Sequence, residues 1–215
     1  MDIRWQNENE PHMRMNEKNG VEYLTYPVFE QLPDIVHCFS TRIGGVSEGI
    51  FSTMNFSFGR GDDDNAIREN YRRMGDAVGF SIKDVVASNQ THTTNVRLIR
   101  EEDRGNGVVC PNAFQDVDGM ITNIPGLVLA TFYADCVPLY FVDPVHKAIG
   151  LSHSGWKGTV GKIGKVTIEK MQEEFGSAPD QILTAIGPSI CQDCYEVSED
   201  VILEFRNSFS QKYWD

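Results

Sequence analysis

The chain has 215 residues and a formal net charge of −12, with 19 Lys and Arg set against 31 Asp and Glu. A body this acidic repels phosphate backbones at long range, which argues against sequence-independent nucleic-acid binding. The longest apolar stretch, 126–142, is broken by Asp135 and Pro138, so no membrane span is expected.

Residues 1–20 are polar and carry no apolar segment of the kind a secretory leader needs. They are expected to form a mobile lead-in, with the domain proper over 21–215. Five cysteines, an odd number, in a chain without that leader point to a cytoplasmic protein with reduced thiols. Short alternating runs at 22–29 and 35–40 read as strands. The Gly-, Ser- and Asn-rich stretch 40–63 reads as a long structured loop where backbone can approach a ligand. Ile67, Tyr71, Met74 and Val78 then recur at helical steps, with acidic residues 62–64 ahead of them and Gly79 behind. Ser81 and Asp84 have the spacing of a capping box for one further short turn. Strands are expected at 85–87, 96–99, 119–122, 128–133, 139–142, 148–153 and 181–187, and helices at 159–175 and 198–209. The expected fold is one mixed α/β (α+β) domain.

Several familiar patterns fail. Gly158, Gly161 and Gly164 have neither the phosphate-loop nor the GxGxxG dinucleotide spacing, and small residues three apart suit close helix packing. Cys191 and Cys194 form a lone CxxC with no second pair, and no HxE occurs upstream for a zinc deaminase signature. HExxH and GxSxG are absent. What remains is His92, Cys136 and His153, each where a strand gives way to a loop. Two imidazoles and a thiolate at one point would make a three-ligand zinc set with an open fourth position.

These segments resemble the laccase-domain (YfiH-type) family, known as multicopper polyphenol oxidases and as purine nucleoside phosphorylases. HCFSTRIGGVSEGIFSTMNFSFGRGDD, from His37, is similar to the family's HGFSTRxGGVSxGxxxSLNLGxxxGDD. NQTHTTNV resembles QxHGxxV, DGMITN resembles DAxxT, and ADCVPLYFVDP resembles ADCxPxLxxDP. HSGWKGTVGKI is similar to HAGWRGTxxGI, and AIGPSICQDCYEV to AIGPxIxxCCYEV. The chain departs from the pattern at Thr93 for Gly, Ser154 for Ala and Lys157 for Arg; a lysine offers a point charge in place of a bidentate fork. The family's further C-terminal α/β segment, with its FFSYR-like stretch, is not found before Asp215; the expectation is either a truncated chain or an atypical member with a partly open site.

The resemblance implies a four-layer α/β/β/α sandwich, with zinc ligands at His92, Cys136 and His153, which would also be the catalytic residues. It implies phosphorolysis of purine nucleosides (adenosine, inosine and methylthioadenosine), with adenosine deamination at the same site. Zn²⁺ there would orient phosphate or activate water. Arg42 and Lys157 are the candidate anion holders, Asn55 and Gln90 candidate polar contacts, and Asp135 a carboxylate able to orient a ligand. The expected partners are therefore a small nucleoside and phosphate. A multicopper oxidase fits less well, because the chain has five histidines and no HxH; oxidase activity would come from adventitious Cu²⁺ in the same pocket. The alternatives are a metal-independent cysteine hydrolase, with Cys136 as nucleophile and His153 or His92 as base, and a catalytically weak binding module.

Overall fold

The computed structural model describes residues 12–211, and its contacts divide the chain into two compact units, Met1–Ile82 and Lys83–Asp215. Helices and sheets occur in both, so the mixed α/β class holds. No described helix is long and apolar enough to cross a membrane.

The first unit opens with strand β1 (Arg14–Lys18), hydrogen-bonded antiparallel to β2 (Val21–Thr25). This departs from the expected lead-in, of which 1–11 lie outside the described residues. Asn19 and Gly20 adopt φ of 57° and 77°, the left-handed pair that a two-residue hairpin turn demands. The strand expected over 22–29 stops at Thr25, because Pro27 fixes φ and opens the helical turn α1 (Pro27–Glu30). Of the run 35–40 only β3 (Phe39–Ser40) pairs with β2. The ring of His37 instead accepts a hydrogen bond from the Tyr26 N–H at 2.8 Å.

Helix α2 (Asp64–Val78) follows the expected periodicity. Asp63 caps its first turn by accepting from the Asn65 N–H, and Gly79 closes it at φ 106°. Ile67, Tyr71 and Met74 are buried along one face. Among them lies Asn70, fully buried, which accepts from the Val46 N–H at 2.8 Å and donates to Ser47 Oγ and to the Asn55 carbonyl. One side chain thus ties the glycine-rich loop to the helix. Asn70→Leu keeps the volume but removes the partner of the Val46 N–H and the Asn55 carbonyl, Ser47 keeping its bond to Asp62, and should cost about 3 kcal/mol. A urea midpoint unchanged from wild type would refute this role.

The second unit is built on a five-stranded sheet, ordered by sequence number as β10-β8-β9-β6-β5. Its members are β5 (Val96–Leu98), β6 (Gly119–Thr122), β8 (Val137–Asp143), β9 (Ala148–Ser154) and β10 (Leu183–Ile186). Only β5 and β6 run parallel. Successive residues of a strand face opposite sides, so Met120 and Ile121, both fully buried, feed two different cores. Ile121 joins Phe141, Ala148, Met171 and Ile182; Met120 joins Val86, Ile99, Phe114, Val117 and Leu127.

A separate parallel pair is formed by β4 (Val85–Ala87) and β7 (Val128–Ala130). The strand expected to continue to 133 ends at Ala130, because the Gln90 side chain takes both the N–H and the carbonyl of Phe132, at 2.8 Å each.

The helix expected over 159–175 is two: α3 (Trp156–Val160) and α4 (Ile163–Phe175), broken at Lys162 with φ 60°. The glycine spacing serves packing, as expected. A Cβ on Gly161 would lie 2.5 Å from Thr94 Cγ2, and one on Gly164 would lie 3.4 Å from Leu139 Cδ1. The break lets α3 lie against the 93–94 loop while α4 covers the sheet with Ile163, Thr167 and Met171. Helix α5 (Glu199–Ser208) completes the described unit.

Candidate metal centre

Strand pairing explains how residues so far apart in sequence meet. Val137 of β8 lies opposite Ser154 of β9, and Gly119 of β6 lies opposite both Ser152 of β9 and Val96 of β5. Cys136, just before β8, His153, near the end of β9, and the 88–95 loop leading into β5 therefore share one end of the sheet. There the Sγ of Cys136 and one ring nitrogen each of His92 and His153 lie within 4.8 Å of one another. The Cys136 Sγ to His92 Nε2 distance is 3.8 Å. Tetrahedral zinc with these donors sets ligand atoms about 3.3–3.6 Å apart. Closing the set by about 1 Å would complete that geometry, and the donor chemistry suits a borderline-soft divalent ion. His153 is buried, Cys136 half-buried and His92 exposed, so the cluster opens toward solvent on the His92 side.

The organising group is Asp118, fully buried just ahead of β6. Its Oδ1 accepts from the His92 N–H at 3.0 Å and stands 2.8 Å from His153 Nδ1. Its Oδ2 accepts from the N–H groups of Thr91 and Thr93 and from the Thr93 hydroxyl. Burial opposes ionisation of this carboxyl, but the His153 ring and these donors outweigh it and hold its pKa at about 2. With Nδ1–H directed at the carboxylate, the His153 Nε2 lone pair is left for a ligand. The same bonds pin the 91–93 loop, in which His92 is held at φ 66°, a conformation uncommon outside glycine. Thr93, where the family pattern carries Gly, thus adds a donor to Asp118. Ser154, where it carries Ala, bonds its Oγ to Thr159 Oγ1 at 2.9 Å.

Gly155 leaves β9 with φ −71° and ψ 177°, angles open to any residue. Space is what demands glycine here: a Cβ would lie 2.6 Å from His92 Cδ2 and 3.1 Å from Cys136 Sγ.

The other expected site residues are placed as follows. Gln90 stitches its loop to Phe132, four residues before Cys136, and so braces the cluster through backbone. Asp135 is exposed, its carbonyl accepting from the Ile190 N–H; the carboxylate that lies against the His153 ring is that of Asp118. Lys157 is exposed on α3 with Nζ 5.5 Å from the Trp156 ring. Arg42 and Asn55 belong to the first unit. Arg42 donates from Nε and Nη2 to the Ile50 and Ser52 carbonyls, and Asn55 bonds Asp62 and the Ser57 N–H. Both brace the glycine-rich loop. Sequence reasoning missed Asp118 and Gly155; Asp118 stood in the DGMITN motif, and an acidic residue opening a buried strand was the signal available.

The family model described as multi-copper polyphenol oxidoreductase laccase matches residues 36–214. The chain is 41% identical over 172 residues to a purine nucleoside phosphorylase of Deinococcus radiodurans, covering 80% of this chain and 63% of that one. It is 36% identical over 170 residues to the purine nucleoside phosphorylase YlmD of Bacillus subtilis, covering 79% and 61%. It is also 35% identical over 175 residues to adenosine deaminase RL5 of an unknown prokaryotic organism, covering 80% and 66%. The chain thus spans a little under two thirds of the length of these relatives. The crystal structure of YlmD from Geobacillus stearothermophilus superposes with a TM-score of 0.86 at 33% identity, covering 94% of this chain and 74% of that one.

Proposed function

The chain belongs to the laccase-domain family of multi-copper polyphenol oxidoreductases, and from that premise we propose that it is a zinc-dependent purine nucleoside phosphorylase that also deaminates adenosine. The observation that carries this reading is the His92, Cys136 and His153 cluster, braced by Asp118 and open on one side. The names of the relatives supply the substrate class. In phosphorolysis a phosphate oxygen bonds to the ribose anomeric carbon as the bond from that carbon to the purine nitrogen breaks, and the base leaves with a proton. The transition state is oxocarbenium-like, as in glycoside hydrolysis.

His92, Cys136 and His153 would hold a divalent cation, which would supply positive charge for phosphate at a site whose own carboxylates, Asp118 and Asp135, repel it. The chain's residues do the positioning. Asp118 fixes the His153 ring and, through three backbone N–H groups, the loop that presents His92. Lys157, two residues beyond Gly155, carries an exposed charge for the anion. Gly155 leaves the room that two ligands need.

Two rival readings are weaker. Burial, with Asp135 and Asp118 adding to it, pushes the Cys136 thiol above its ordinary pKa, which opposes a metal-free cysteine nucleophile. A multicopper oxidase needs more imidazoles than the one His₂Cys group found among the described residues.

Purified, zinc-loaded protein incubated with adenosine should yield adenine only when phosphate is present, and inosine with or without it. Chelation should stop both reactions, and zinc should restore them. Formation of neither product would refute the reading. Turnover that survives chelation but is lost to iodoacetamide would favour the cysteine hydrolase.

A further inference from the structure

The CxxC pair is left unused by the zinc site. Cys191 and Cys194 are both exposed and both free. They flank a 3-10 turn, Gln192–Cys194, in which Cys191 is the N-cap and the Cys194 N–H donates to the Cys191 carbonyl at 3.1 Å. In a 3-10 turn side chains three residues apart eclipse one another. The turn brings the two thiols together closely enough for the Cys194 S–H to donate to the Cys191 sulfur.

Their environments differ in a way that matters chemically. The Cys194 S–H, together with the N–H groups of Cys194 and Asp193, holds the Cys191 thiol below its ordinary pKa. Cys194 is pushed the other way, first by that same hydrogen bond and then by the charge on Cys191. Cys191, which accepts the hydrogen bond, is thus the readier of the two to lose its proton, and Cys194, which donates it, the later. By contrast, burial raises the Cys38 thiol to about 12, and burial with two carboxylates raises Cys136.

We propose that Cys191 and Cys194 form a redox-active dithiol that exchanges with small-molecule disulfides, Cys191 attacking and Cys194 resolving. In the first step the Cys191 thiolate bonds to one sulfur of the disulfide, whose S–S bond breaks and releases a thiolate. In the second, Cys194 gives up its proton and attacks the Cys191 sulfur, expelling the other half. The balance is one protein dithiol oxidised to one internal disulfide and one small disulfide reduced to two thiols.

The test uses the whole chain with oxidised glutathione, read by peptide mass mapping. The wild type should gain a Cys191–Cys194 disulfide and keep no glutathione on either sulfur. Cys194→Ser should trap one glutathione on Cys191, faster than exposed Cys110 of the same molecule is modified. Three results would overturn the assignment: a lasting glutathione adduct on the wild-type pair, Cys191 reacting no faster than Cys110, or Cys194 in Cys191→Ser reacting as fast as Cys191 does in Cys194→Ser. Both substitutions fall on an exposed turn, and an unchanged melting temperature separates lost reactivity from lost folding.

Discussion

Gly155→Ala is expected to weaken metal binding and lower turnover by about two orders of magnitude while leaving the metal-free fold close to intact. The backbone angles at Gly155, φ −71° and ψ 177°, are open to alanine, so the substitution stores no dihedral strain. Its one consequence is a methyl group placed 2.6 Å from His92 Cδ2 and 3.1 Å from Cys136 Sγ. Either ligand must retreat by about 1 Å to restore van der Waals contact, which spoils a set already needing to close by a similar amount. The three N–H bonds to Asp118 fix the backbone of the loop, so the exposed His92 ring yields by turning away from the other two donors. A displacement of that size lowers turnover by about 100-fold. The apo-protein should unfold within about 1 kcal/mol of wild type, since Gly-to-Ala at a compatible site stiffens the unfolded chain. Chelator-competition titration of zinc beside an apo melting curve decides the matter. Wild-type zinc affinity in this variant would mean the cluster is not the metal site.

Asp118→Asn should weaken both the fold and the metal site. The carboxylate accepts on both oxygens: Oδ1 faces the His92 N–H and the His153 ring, and Oδ2 faces Thr91, Thr93 and the Thr93 hydroxyl. An amide in its place, whichever way it turns, presents an NH₂ group to donors and leaves at least one of them unpaired in a buried site. The loss of charge-assisted bonds is worth about 3 kcal/mol of stability. If the amide nitrogen faces His153, the ring is driven to flip or change tautomer, and Nε2 loses its fixed lone pair. Zinc affinity should fall by about 10–100-fold, as is usual when the partner of a metal-bound imidazole is removed. His153→Ala, which deletes the ligand and spares the carboxylate, should lose zinc with a smaller loss of stability. An Asp118→Asn protein that binds zinc as tightly as wild type would show that Asp118 acts on the fold alone.

Both predictions rest on residues that the sequence did not single out, and the reason is physical. Local chemistry was legible. The 4- and 3-residue steps of Ile67, Tyr71, Met74 and Val78, with Asp63 before them and Gly79 after, specify α2 without reference to anything distant. The short apolar runs 85–87 and 119–122 are strands to the residue. His92, Cys136 and His153 stood out because polar side chains at the ends of apolar strands need a reason to be there, and the family motifs around them are continuous in sequence. The strand pairing that joins them was not legible, since Cys136 and His92 are 44 residues apart and Asp118 and His153 are 35 apart. Nor was the hairpin that makes β1, although Asn19-Gly20 was its signal. β7 stops where a side chain 42 residues away captures its backbone, and helix 159–175 breaks where the 93–94 loop comes close. Sequence periodicity records which face of an element is apolar. Which backbone atoms lie within 3 Å of which side chains is decided only when the strands are in register, and that decision made Asp118 the centre of the site and Gly155 its required gap.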